Sequence, residues 1–163
     1  MEIIKDRQIV GDTWLPLDAE QPLPESGDLI VPLARWQRDK AQLSAYRGGK
    51  LGVRLQSDDE PEALADDLGH FALVAVEFPK FTDGRGFSSG RLLRDRYGFQ
   101  GELRAVGNVL RDQMFYMHRC GFNAFELSPG KSLQSALQAF NELTVTYQAA
   151  ADDPRPLFRR RAS

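Results

Sequence analysis

The sequence contains one cysteine, Cys120, and two histidines, His70 and His118, and none of them sits at a metal-ligand spacing. A single cysteine excludes an intramolecular disulfide and fits a reducing compartment. Two histidines this far apart leave no zinc-type ligand set, so no metal is expected. No apolar run approaches the ~20 residues that cross a bilayer. The opening Met1-Glu2-Ile3-Ile4-Lys5-Asp6 lacks the basic-then-apolar pattern of a signal peptide. The expected setting is therefore cytoplasmic, with no membrane partner. A formal net charge of −2 gives no global attraction to nucleic acid either. What is present is enough apolar material for a core, 42% of 163 residues, which is the size of one ordinary domain.

Along the chain, Ile3 to Asp28 reads as a hairpin or extended arm followed by a connector with Pro16, Pro22 and Pro24. Strand and helix patterns then alternate. Leu29-Ile30-Val31 is a buried strand ended by Pro32, and Ala34 to Tyr46 is a helix stopped by Gly48-Gly49. Leu51 to Leu55 is a strand, and Pro61 opens a short helix to about Leu68. Phe71 to Phe78 is the most strand-like run, closed by Pro79. Ser88 or Ser89 caps a helix to Tyr97 that stops at Gly98. Glu102 to Val106 is a strand, Asn108 caps a helix from Val109 to Cys120, and Ala124 to Leu127 is a strand. Ser132 caps the last helix, in which Leu133, Ala136, Leu137 and Phe140 share one face. Residues 150–163 form a tail with Arg159-Arg160-Arg161.

Five strand–helix units in series predict a single α/β domain over 1–163, built on a mainly parallel sheet of about five strands. An open sheet with helices on both faces is favoured over a half-barrel-like one, because five units are too few to close an eight-stranded barrel. The arm is 1–28 and the basic tail 150–163. Loops after the carboxyl ends of the strands are the expected site.

Strands covered on both faces should be almost wholly apolar. Each clear strand here carries a charge instead: Arg54, Glu77, Arg104 and Glu126. Paired charges that fix strand order are one explanation. The other is a polar site of two carboxylates and two guanidiniums that binds a small anion or exchanges protons. Candidate catalytic residues are Glu77, Arg104, Asp112 and Glu126. The charge is also unevenly distributed. Ser57 to His70 carries Asp58, Asp59, Glu60, Glu62, Asp66 and Asp67 with no Lys or Arg, whereas Lys80 to Arg119 is net positive.

Thr82-Asp83-Gly84-Arg85-Gly86-Phe87-Ser88 follows a strand and opens a helix. N–H groups at a helix start attract anions, and an arginine fork suits sulfite, sulfate, phosphate or carboxylate. The anion-binding candidates are Arg85, Gly86, Ser88 and Arg104; a tight turn using glycine at positive φ is the alternative. The glycine spacing matches a dinucleotide fingerprint only loosely and there is no Walker lysine here, so no cofactor is expected. Cys120, at a helix C-terminus, reads as a small buried hydrophobe rather than a nucleophile.

The run Phe78 to Ser88 resembles a bacterial family of unknown function labelled as an oxidoreductase of sulfite reduction. So do Gly101-Glu102-Leu103-Arg104-Ala105-Val106-Gly107, Leu110-Arg111-Asp112-Gln113 and Cys120 to Leu127. The chain departs from that pattern with Phe87 for a tyrosine and with Asn108 and Asn123 for aspartates. The resemblance implies a pathway rather than a reaction. The expected role is an accessory protein of assimilatory sulfite reduction that binds a small oxyanion, sulfite reductase, or both. An oxidoreductase subunit with Glu77, Arg85, Arg104, Asp112 and Glu126 around a substrate is one alternative. A structural or regulatory homo-oligomer is the other.

Overall fold

The computed structural model describes residues 1–80 and 84–151. It is a mixed α/β fold on one eight-stranded sheet. The strands are β1 (Glu2–Lys5), β2 (Gln8–Gly11), β3 (Leu15–Pro16), β4 (Leu29–Pro32), β5 (Leu51–Leu55), β6 (Leu73–Phe78), β7 (Glu102–Gly107) and β8 (Ala124–Phe125). Their order in the sheet is β2-β1-β8-β7-β6-β5-β4-β3. Strands β3 to β8 are parallel neighbours in chain order, and β1 runs antiparallel to both β8 and β2.

The sheet is thus larger than the expected five strands. Two additions come from the arm, which does fold into a hairpin. Asp6 and Arg7 both take left-handed φ values of 51° and 66°, the twisted two-residue turn that suits a tight hairpin. This arm is integral to the sheet, since β1 pairs with β8 and Asp6 N–H donates to Asn123 O at 3.0 Å. The third addition is β3, inside the connector, where Leu15 and Pro16 pair with Leu29 and Ile30. Proline on that outermost strand costs no inner ladder bond.

The favoured arrangement with helices on both faces is corrected. Strand order never reverses from β3 to β8, so crossovers of one hand bring every helix to the same side. The sheet curls into an open half-barrel. Its main core holds Val31, Val53, Val74, Val76, Ala105 and Phe125 from the strands, packed with Trp36, Leu43, Leu93, Met114, Met117 and Phe140 from the helices. The alternate strand residues Ile30, Leu73, Ala75 and Val106 form a separate small cluster on the other face, with Trp14 laid against it.

The helices are α1 (Leu33–Arg38), α2 (Lys40–Ser44), α3 (Arg85–Arg91), α4 (Arg111–Arg119) and α5 (Leu133–Ala151). The single helix expected over 34–46 breaks at Asp39, which also accepts from the Arg38 guanidinium. The helix expected up to Leu68 is two short 3₁₀ turns, Pro61–Leu64 and Leu68–His70. Helix α3 starts at Arg85 with Gly84 in the cap position, ahead of either serine, and a π-helical turn, Leu92–Arg96, carries it to Tyr97. Helix α4 starts later than expected and Asn108 does not cap it; the cap position is Leu110. Ser132 does cap α5, its Oγ accepting the Ser135 N–H at 3.1 Å. The strands expected over 71–78 and 124–127 shorten to β6 and β8. The start of the expected tail, Ala150-Ala151, is helical; residues 152–163, with the triple arginine, lie outside the described residues, as do Thr82 and Asp83. Among the described residues, no helix is long and apolar enough to cross a membrane.

Candidate functional site

Residues alternate between the two faces of a strand. On β5, Leu51, Val53 and Leu55 enter the helix-covered core, which sends Arg54 to the other face. The same alternation sends Ala75 and Glu77 of β6, Arg104 and Val106 of β7, and Glu126 after β8 to that face. They line one cavity of about 350 Å³ on the concave side of the half-barrel, with Trp14 and Asp12 as part of its wall. All four strand charges noted in the sequence therefore meet in one place. The floor is apolar, from Ile30, Ala75 and Val106.

The four charges do not have equal status. Arg104 is 2% exposed and fully engaged. Its Nε and Nη2 donate to Glu102 Oε2 at 2.8 Å, and its Nη1 and Nη2 donate to Asp12 Oδ2 at 3.0 Å and Oδ1 at 3.2 Å. Lys5 Nζ lies 2.9 Å from the other Glu102 oxygen. Burial alone would push the guanidinium pKa down, but the hydrogen bonds and fields of Asp12 and Glu102 together exceed that and hold it above its ordinary value. Such an arginine stays charged and has no face left for an incoming anion. It ties the hairpin to β7 and, through Asp12 Oδ1 accepting the Trp14 N–H at 3.2 Å, seats the segment that carries the indole.

Arg54 and Glu77 are different. They form an ion pair at 3.4 Å with side chains 40% and 33% exposed, so a ligand can reach both. Glu126 is half-buried, and its carboxylate has no hydrogen-bond or ion-pair partner among the described residues. Of the charged side chains lining the cavity, Asp12, Asp18, Glu77 and Glu126 are acidic and only Arg54 and Arg104 are basic.

The other sequence candidates lie elsewhere. Gly86 packs against the Phe78 ring on the helix-covered side, across the sheet from Arg104. Arg85 and Ser88 border a depression together with Asp59 and Glu60. Gly84 takes φ 81°, as the tight-turn alternative requires. Asp112 is exposed and lines a cavity of about 270 Å³ between the starts of α4 and α5. The positive stretch from Lys80 to Arg119 is partly structural. Arg94 donates to the carbonyls of Gly121, Phe99 and Gly101 at 2.7–2.8 Å, and burial lowers its pKa.

The three departures from the resembled pattern fall outside the concave cavity. The Phe87 ring packs on Phe78 and Tyr116, with centroids at 5.1 and 4.8 Å. Asn123 Oδ1 accepts the Leu103 N–H at 2.8 Å, a backbone role an amide fills well. Asn108 Nδ2 reaches Lys80 O at 3.5 Å.

Sequence reasoning missed two groups. Asp12 and Trp14 lie in the arm, and only the hairpin's pairing with β8 and the contact of Asp12 with Arg104 bring them to the site. Arg111, Lys131, Ser132 and Ser135 border the α4–α5 cavity, where Arg111 Nη1 donates to Ser135 Oγ at 3.0 Å. Their signal was Gly130-Lys131-Ser132 between a strand and a helix. Among the described residues, no group of three or more His, Cys, Asp and Glu is placed to hold a metal ion.

No curated protein matches the chain. Residues 52–158, more than half of the chain and running from within β5 through β8, match the family model described as "Bacterial protein of unknown function (DUF934)", a description that carries no reaction and no pathway. The chain belongs to that bacterial family.

Proposed function

We propose that this protein is a binding accessory of sulfite assimilation, and that its working surface is the concave face of the half-barrel. The pathway half of this reading rests on the sequence resemblance set out above. The surface half rests on one observation: Arg54, Glu77 and Arg104 from three strands, and Glu126 just after a fourth, line a single cavity toward the carboxyl ends of those strands. That end of a parallel α/β sheet is where ligands bind in general. Arg104 with Asp12 and Glu102 is the rigid part of the site, and Arg54, Glu77 and Glu126 are the part that meets the ligand.

A deletion strain should grow slowly on sulfate as the sulfur source and normally on cysteine. Wild-type protein should restore growth, and folded Glu126→Gln or Arg54→Ala protein should not. Normal growth of the deletion strain on sulfate removes the pathway, and full rescue by both variants removes the surface. Association with sulfite reductase, if direct, should weaken as salt rises, because opposite surface charges drive it.

The oxyanion part of the reading has its best support in the α4–α5 cavity. There Arg111 and Lys131 outnumber Asp112, and the first turns of α4 and α5 border the cavity. Calorimetry with sulfite, sulfate and phosphate tests it: Lys131→Ala should abolish binding. Loss of binding in Arg85→Ala alone would return the anion to the loop before α3.

A further inference from the structure

Resting on the concave-face reading, we infer that the ligand of this cavity is an α-amino acid with a basic side chain. The argument begins with what each kind of ligand would do to the Arg54–Glu77 pair. A bare anion that takes Arg54 strands Glu77 beside an already acidic wall. A bare amine that takes Glu77 strands Arg54. A head group that carries an ammonium and a carboxylate on one carbon replaces the pair with two pairs and leaves neither charge unmatched. The 3.4 Å separation and the partial exposure of both side chains make that exchange accessible.

The second step is the position of Glu126. In the parallel register Glu77 lies opposite Val106, and Ala105 lies opposite Phe125. The ladder continues, with Glu126 N–H donating to Ala105 O at 2.9 Å. Glu77, Val106 and Glu126 therefore form one row across β6, β7 and the end of β8. Two strand spacings separate the carboxylates' backbones, about 10 Å, and concave curvature brings the side chains closer. The surface between them is the apolar Val106, beneath the Trp14 cluster. An aliphatic stem fits that surface, and a second cation at its far end meets Glu126, the half-buried carboxylate with no partner among the described residues. A cavity of about 350 Å³ is in the range that holds such a molecule. The excess of carboxylates over guanidiniums in its wall matches a ligand of net positive charge.

The test uses the full chain and four probes that differ by one group. L-lysine carries all three charges. Norleucine lacks the distal ammonium, cadaverine lacks the carboxylate, and aminocaproate lacks the α-ammonium. Calorimetry should rank L-lysine or L-ornithine first, each analogue being weaker by about tenfold or more, the effect of one charge-assisted hydrogen bond. Glu126→Gln should weaken L-lysine by a similar factor and leave norleucine unchanged. Arg54→Ala should weaken L-lysine and norleucine and spare cadaverine. Circular dichroism and melting curves confirm that both variants are folded. Equal affinity for norleucine and L-lysine would overturn the inference. If none of the four binds but sulfate shifts the Trp14 indole N–H resonance, the ligand class is wrong and the concave-face reading survives. If L-lysine binds both variants as it binds the wild type, its site is elsewhere and both readings fall.

Discussion

The helix-covered face of the sheet takes Val31, Val53, Val74, Val76, Ala105 and Phe125 and seals them under five helices. The concave face takes the residues between them, and there Arg54, Glu77, Arg104 and Glu126 stand among Ile30, Ala75 and Val106. The same strands supply both sets, one position apart. The covered face is constrained by volume, because every atom there has neighbours. The concave face is constrained by charge pairing, because its members are near enough to interact and only partly solvated. Even there the charges divide: the Arg104 cluster holds the fold together, and the Arg54–Glu77 pair does not.

The division can be broken at its strongest point. Arg104→Met leaves Asp12 and Glu102 facing each other without their cation. Stability should fall by about 3–5 kcal/mol, measured by urea unfolding. A loss below about 1 kcal/mol would show that water or Lys5 replaces the guanidinium and that the cluster is not structural.

A smaller effect sharpens the covered side. A Cβ on Gly90 would lie 2.4 Å from the Phe122 ring. Gly90→Ala, on a helix pressed against that ring, should cost about 1–3 kcal/mol. An unchanged melting temperature would mean the ring moves aside freely.

The pH response separates the faces in another way. On the covered side, burial lowers the His118 pKa below 6.5; the Phe122 backbone hydrogen bond opposes this and Arg7 adds to it. The unfolded chain then binds the proton more readily. The contribution of neutral His118 is present above pH 6.5 and is lost as pH falls below it toward the folded-state value. The protein with native His118 should therefore lose stability as pH falls below about 6.5, a slope that His118→Gln flattens. An identical slope in both proteins would assign it to other groups.

The smallest expected effect is on the concave rim. Arg54→Ala should change stability by no more than about 0.5 kcal/mol, since the pair is exposed and screened. A large loss would merge Arg54 with the Arg104 cluster and end the distinction between framework and ligand contact.

Much of the architecture was legible before the structure. Val-rich strands closed by proline, the Ser132 cap and the hairpin all follow from local chemistry, which acts over a few residues. Boundaries moved where local signals competed: Asp39 breaks a helical run, and α4 passes over Asn108. Charges on every clear strand are anomalous for a doubly covered sheet. The anomaly marks the face that the helices leave open.

The sequence by itself determined that β5, β6 and β7 would each be strands with one apolar face, because alternation is written into residue spacing. It also determined that a charge would stand on the opposite face of each. Only the tertiary structure decided that those charges meet. Curvature of the half-barrel brings side chains from β5, β6, β7 and β8 into one cavity. The hairpin's pairing with β8 carries Asp12 to Arg104 across a sequence separation of 92 residues. Contacts of that range depend on strand order and crossover hand, which no local pattern of residues records.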